Sequence, residues 1–163
     1  RLDDPADIRR HHDQLLARLY DACRTAGREL LVEIITSHSG QPVAADDIPV
    51  IMDQIYQQGI YPDWWKLEPV DGAGFWQACG DLVRRYDPYA QGIIVLGKQM
   101  PADQLTAMFA AAKSEAMVNG FAIGRTIFWG PAEDWFAGRS DDETATRQMA
   151  TAFAGLIDAW QNA

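Results

Sequence analysis

Gly92-Ile93-Ile94-Val95-Leu96-Gly97 reads as a strand with no polar face. A strand with one face in water alternates apolar and polar residues. A strand of a parallel sheet covered on both sides is apolar throughout. The run therefore points to a parallel sheet, and its neighbours agree. Upstream, Glu29 to Thr36 is a strand rich in Leu, Val and Ile, and Asp63-Trp64-Trp65-Lys66-Leu67-Glu68-Pro69 carries a short strand that ends at a proline. Downstream, Gly120 to Arg125 is the last strand. Helical segments fill the intervals. The first runs from Asp4-Pro5 to about Arg24, with a breaker at Gly27; the second runs from a cap at Asp46 or Asp47 to Gly59. Others span about Ala73 to Arg85 and Pro101 to about Ser114, with a short one near Pro131-Phe136. The last extends from about Asp142 to Trp160, with Met149, Phe153, Leu156 and Trp160 at helical spacing. A polar loop covers Ser37 to Ala45. Strands alternating with helices imply an α/β fold, and residues 1–163 read as a single domain. Four βα units make half of an eight-stranded barrel, whose usual length is about 250 residues, or else a small open doubly wound sheet.

The composition is that of an ordinary water-soluble globular chain, 48% hydrophobic and 23% charged. A net charge of -9 argues against non-specific nucleic-acid binding and requires any anionic substrate to meet a locally basic pocket. No signal peptide and no run of about 18 apolar residues stands in the sequence, so a cytoplasmic protein without membrane attachment is expected. Cys23 and Cys79 fall in helical segments and read as free thiols. His11, His12 and His38 lack metal-ligand spacing. The chain opens on Arg1 without a methionine, which reads as a fragment or a processed chain.

Ligands of α/β folds bind at the carboxyl ends of the strands. Those ends carry Glu33, Thr36 and Ser37; Lys66 and Glu68; Gly97 and Lys98; and Gly124, Arg125 and Thr126. Alternation sets Leu31, Glu33 and Ile35 on one face, Trp64, Lys66 and Glu68 on another, and Phe121, Ile123 and Arg125 together. One set of faces can thus point Glu33, Lys66 and Arg125 into a single cavity. Lys66 is one of three lysines, with Lys98 and Lys113. Within a buried strand its ammonium would be costly, its pKa should fall, and the free amine could attack a carbonyl. The plainer readings are a structural ion pair of Lys66 with Glu33 or Glu68, a surface role for Arg125, a solvated loop position for Lys98, solvent-facing His11 and His12, and core positions for Trp129 and Trp135. Gly97 and Gly124 serve backbone geometry or the close approach of N–H groups to a phosphate.

At these residues the chain resembles the class I, Schiff-base aldolases of the tagatose-bisphosphate aldolase type. It is most similar to the aldolase-like domain fused behind 5-dehydro-2-deoxygluconokinase in inositol catabolism. The blocks that carry the resemblance are ELLVEIITS, PDWWKLEP, GIIVLGKQM and GFAIGRTIFWGPAEDWFAG, which together cover most of the chain. The resemblance implies a (β/α)8 TIM-barrel fold of which this chain is the C-terminal half. It implies Lys66 as the Schiff-base lysine and Glu33 as the carboxylate that moves protons near the imine. It puts Gly124 and Arg125, with Gly97 nearby, at a substrate phosphate, and Glu68 among the substrate-side residues. The reaction implied is cleavage of 2-deoxy-5-keto-gluconate 6-phosphate to dihydroxyacetone phosphate and malonate semialdehyde, without metal or cofactor. Its partners would be the missing half-barrel and kinase domain, or a second copy, because half a barrel leaves two strand edges unpaired. The tagatose-type enzymes carry Ser-Ala-Gly where this chain has Gly97-Lys98-Gln99, and Lys98 is placed to compensate. Two other readings stand beside this one. The chain could be a non-catalytic sugar-phosphate-binding or interaction domain beside a carbohydrate kinase. It could be an open flavodoxin-like sheet binding a nucleotide, although the segment SHSGQP has no glycine-rich phosphate-loop pattern.

Overall fold

Alternating strand and helix patterns recur through the computed structural model, which describes residues 2, 4–37, 43–98 and 100–163. In order the elements are α1 (Ala6–Ala26), β1 (Leu31–Ile34), α2 (Asp47–Gln57), β2 (Trp64–Leu67), α3 (Ala73–Tyr86), β3 (Gly92–Leu96), α4 (Ala102–Lys113), β4 (Val118–Ala122), α5 (Arg125–Phe136) and α6 (Asp142–Asn162). His38 and Gln99 lie outside the described residues. The strands form one parallel sheet in the order β1-β2-β3-β4. A doubly wound sheet has a point where the strand order reverses; among the described strands there is none.

Consecutive order has a packing consequence. Crossovers of one hand between successive neighbours bring every connecting helix to the same side of the sheet. Val32 and Ile34 of β1, Trp65 and Leu67 of β2, and Ile93 and Val95 of β3 are buried in one cluster with Ile48, Met52, Trp76, Val83, Leu105 and Phe109 from the helices. On the other side Leu31, Glu33 and Ile35 are exposed and Trp64, Lys66 and Ile94 only half-buried. The expectation that β3 is covered on both faces therefore holds for one face and fails at Ile94 on the other.

Several boundaries differ from the sequence reading, each for a local reason. The last strand begins earlier, at Val118, because Ile93 pairs with Val118 and its N–H donates to the Met117 carbonyl at 2.7 Å, ahead of an irregularity between Ile93 and Ile94. The shift turns Phe121 to the helical side, where it stacks on Phe109 and meets Trp160 edge-on. The short helix expected near Pro131 is a full one, opened by Arg125; Pro131 is in its interior. No residue of α5 is buried, so Trp129 and Trp135 are exposed and not core. In α6, Leu156 is buried and Trp160 packs on the core, but Phe153 is exposed. Asp46 occupies the N-cap of α2 without a side-chain capping bond, whereas Asp141 at α6 accepts from the Thr144 N–H at 2.8 Å. Cys23 and Cys79 are both free.

Candidate functional site at the open face of the sheet

The register pairs Glu33 with Lys66, Lys66 with Ile94, and Ile94 with Gly120. These four positions form one level across the sheet, on the face opposite the buried core cluster. The alternation that buries Val32 and Ile34, and Trp65 and Leu67, leaves Glu33 and Lys66 pointing the opposite way. Lys66 Nζ lies 2.8 Å from Glu33 Oε1, with the lysine side chain 23% and the glutamate side chain 36% exposed. The lysine side chain is thus partly, not wholly, withdrawn from water. The amine is half-open, and Glu33 is the group that would exchange a proton with it.

Above this pair is a cavity of about 350 Å³ lined by residues of all four strand ends. Glu33 and Lys66 form part of its wall, as do Gly97 and Lys98 after β3 and Gly124 and Arg125 at the start of α5. The expected convergence of Glu33, Lys66 and Arg125 is present, by a different route for Arg125. Strand alternation does not carry it there. The chain leaves β4 at Ala122 and turns into α5 with Gly124 as N-cap, so that Arg125 is the first helical residue. Gly97 and Gly124 are at close approaches: a Cβ on Gly97 would come within 2.7 Å of the Ile123 side chain, and one on Gly124 within 3.0 Å of the Phe128 ring.

Glu68 is not on the wall of this cavity. It is fully buried one residue past β2. Its Oε2 accepts from the Thr36 N–H at 2.7 Å, the Thr36 hydroxyl at 2.8 Å and the Ser37 N–H at 3.3 Å. The Ser37 hydroxyl donates to its Oε1, and Lys98 Nζ is 3.2 Å from the same oxygen. Burial raises the pKa of this carboxyl, and the hydrogen bonds from Ser37, Thr36 and Lys98 more than reverse the effect, so that it lies below the usual carboxylate range. Thr36 Oγ1 in turn accepts from the Ala44 N–H at 3.1 Å. One carboxylate thereby ties together the chain leaving β1, β2 and β3.

Lys98 is the residue that the sequence reading undervalued. Its side chain is 32% exposed, pairs with Glu68, donates to the Ser37 hydroxyl and lines the cavity. Its backbone is left-handed, φ 50°, in a turn closed by the Met100 N–H on the Gly97 carbonyl at 2.9 Å. A non-glycine residue there costs about 1 kcal/mol. The signal available in sequence was a lysine directly after the glycine that ends an apolar strand, which alone does not separate a site from a surface turn. The far side of the turn is held by Thr126, whose hydroxyl donates to the Met100 carbonyl at 3.1 Å.

A second cavity, about 310 Å³, follows the free edge of β1 between α1 and α2; its lining mixes apolar residues such as Val32, Ile34 and Ile51 with polar ones such as Arg9, Asp13 and Gln54. Among the described residues no group of three or more His, Cys, Asp or Glu could hold a metal ion, and no helix is long and apolar enough to cross a membrane.

The chain belongs to the family described as "Uncharacterized protein conserved in bacteria (DUF2090)", whose model matches residues 1–163. No curated protein matches it.

Proposed function

We propose that this protein is a class I aldolase-type lyase acting on a phosphorylated ketose, with Lys66 as the Schiff-base amine. The observation that carries the reading is the 2.8 Å contact between Lys66 Nζ and Glu33 Oε1 at the wall of a cavity that also holds Gly97, Lys98, Gly124 and Arg125. An amine, a proton acceptor and an anion-holding rim are what imine chemistry on a sugar phosphate requires.

In the proposed sequence, Glu33 takes a proton from the Lys66 ammonium, and the amine lone pair adds to the ketone carbon. Glu33 returns that proton to the carbonyl oxygen, then relays a second one from the nitrogen to the same oxygen, which leaves as water and gives an iminium. A base then removes the proton of the β-hydroxyl. The C–C bond breaks with its electron pair passing into the iminium, which becomes an enamine as the aldehyde departs. Protonation at carbon and addition of water return the second product and the free amine. Arg125 and the N–H groups at the start of α5 hold the phosphate with charge-assisted hydrogen bonds. Glu68, which is roofed by Thr36, Ser37 and Lys98, does not meet substrate in this scheme.

The fold that suits this chemistry is an arc of a (β/α)8 barrel. Three features support it: the consecutive strand order, the partly exposed sheet face opposite the buried core, and the groove along the free edge of β1. A further parallel strand would lie in that groove, and more βα units would cover Leu31 and Ile35. The sugar named by the resemblance, 2-deoxy-5-keto-gluconate 6-phosphate, fits the rim as a phosphorylated ketose, and a cytoplasmic setting fits such a substrate.

Borohydride reduction in the presence of dihydroxyacetone phosphate tests the reading. The expected result is a mass increase on Lys66, absent from Lys66→Met. Labelling of Lys98 or Lys113 in its place, or of no lysine, would refute it. A binding domain without turnover would take up the sugar phosphate equally well after Lys66→Ala.

A further inference from the structure

We infer that Lys98 is a second phosphate-holding cation of the cavity and that the buried Glu68 is its positioning residue, so that the site selects a phosphomonoester dianion over a singly charged or neutral ketose. The inference rests on reading the cavity as a sugar-phosphate site and names the group that sets its selectivity.

Donor arithmetic comes first. A lysine ammonium has three N–H donors. One goes to the Ser37 hydroxyl and a second faces Glu68 Oε1 at 3.2 Å. The third is unassigned among these partners, on a side chain that lines the cavity together with Arg125. β3 and β4 are adjacent in the sheet, so the turn after one and the helix after the other converge on the same ligand atoms.

Backbone conformation is the second argument. Lys98 holds φ 50° in a tight turn where glycine would be unstrained. Strained non-glycine residues persist where their surroundings over-determine them, and they concentrate at ligand-holding sites. The surroundings here are specific. Glu68 anchors the side chain from below, and Thr126 ties the end of the turn to α5, the helix that carries Arg125.

Charge is the third. Glu68 and Lys98 neutralise each other in the absence of ligand, as do Glu33 and Lys66. A chain of net charge -9 gives anions no general attraction. A phosphate dianion entering between Lys98 and Arg125 gains two cations already held in place, and the buried carboxylate prevents Lys98 from swinging out into water. A neutral ketose gains nothing from them.

Two measurements with inorganic phosphate test the inference without any carbonyl chemistry. The first uses the unmodified protein and amine acetylation followed by mass spectrometry. Phosphate is expected to slow labelling of Lys98 several-fold while leaving Lys113, which donates to the carbonyl of Trp160, unaffected. The second is phosphate binding by calorimetry. Lys98→Met is expected to weaken it by about tenfold or more, the loss of one charge-assisted hydrogen bond, and Lys98→Arg to restore part of it. Glu68→Gln is expected to weaken it less, and to add nothing further in the Lys98→Met background, because a residue that acts through Lys98 has no effect once Lys98 is gone. Equal labelling of Lys98 with and without phosphate would overturn the assignment, as would unchanged phosphate affinity in Lys98→Met. An effect of Glu68→Gln that persists in full in the double variant would remove its positioning role. If borohydride traps no imine while these results hold, the lyase reading fails and the phosphate site stands.

Discussion

Gly80 provides a test in which helix propensity and packing give opposite signs. It sits in the interior of α3, where replacing glycine by alanine normally stabilises by about 1 kcal/mol. In this fold a Cβ at position 80 would lie 2.4 Å from Cδ of Glu115 and 2.6 and 2.7 Å from its two oxygens. The carboxylate is the far end of a flexible side chain, but it is pinned. Arg84 Nη1 donates to Oε1 at 2.5 Å and Nη2 to Oε2 at 3.1 Å, and the Met117 N–H donates to Oε1 at 2.9 Å. Making room for a methyl group breaks or stretches this set around a buried carboxylate. Hydrogen bonds to charged groups are worth about 1.5–3 kcal/mol each, and the half-exposed guanidinium keeps its contact with Asp81 at 2.7 Å, so a total loss of about 3 kcal/mol is reasonable. The net expectation for Gly80→Ala is destabilisation by about 2 kcal/mol, or about 4–8 °C in Tm for a domain of this size. Urea unfolding followed by tryptophan fluorescence measures it. In a Glu115→Ala background the sign should reverse, with alanine at 80 now stabilising by up to about 1 kcal/mol. Gly80→Ala at or above wild-type stability in the unaltered background would refute the packing argument.

Acid sensitivity and thiol reactivity give two more expectations. Hydrogen bonds outweigh burial at Glu68, and the Arg84 guanidinium leads the causes at Glu115, so that both carboxyls lie below their ordinary value of 4.5. A depressed folded-state value means that the stabilisation is complete above pH 4.5 and is lost as pH falls below it. The urea midpoint should be flat from neutrality down to that point and fall beyond it, and Glu68→Gln should flatten the fall; an identical acid limb in the variant would count against the network. Burial, with the Glu115 charge adding to it, pushes the Cys79 thiol up to about 12. Native protein at pH 8 should therefore yield one titratable thiol, Cys23, with Cys79 appearing only on denaturation; rapid labelling of both would contradict the burial of α3 against the sheet.

The residue types and their order carried the strands, because period-two alternation and apolar runs are local properties. Glu33 and Lys66 were legible as members of one face for the same reason: each lies between two core residues, Val32 and Ile34 in one strand and Trp65 and Leu67 in the other. Their pairing was legible only as a possibility, since it depends on the β1–β2 register. Non-local features were read less well. Phe121 turned over because the β3–β4 register slips by one residue, which no local pattern in GFAIGR reveals. Trp129 and Trp135 look like core by hydrophobicity, but α5 buries none of its residues, and helix burial is decided by what lies opposite. Glu68 and Lys98 exchanged roles. The acid expected near substrate is buried under four hydroxyl and amide donors, and the lysine expected in solvent stands at the cavity with Glu68 behind it. That exchange follows from the loops after β1 and β3 closing over the end of β2, a tertiary event.

The levels of the open face suggest what kind of ligand the site can span. Glu33 and Lys66 share one level with Ile94 and Gly120. Two residues further along β1, β3 and β4, about 6.6 Å, come Ile35, Leu96 and Ala122, which are apolar and on the cavity wall, while the corresponding residue after β2 is the buried Glu68, off that wall. Lys98, Gly124 and Arg125 follow above them. By strand position the Lys66–Glu33 pair and the cationic rim stand on opposite sides of this apolar wall. On the proposed reading the ketone carbon meets Lys66 at the apolar layer and the phosphate meets the rim directly above. Carbonyl compounds without the anion can reach the amine but have nothing to hold them above it. The apolar band has a second effect. It keeps the three cations from sharing one anion, so that Lys66 remains paired with Glu33 while Lys98 and Arg125 face the ligand's charge. Filling that band with a charge, as in Leu96→Lys or Ala122→Asp, would merge the two ends of the site that the sheet register keeps apart.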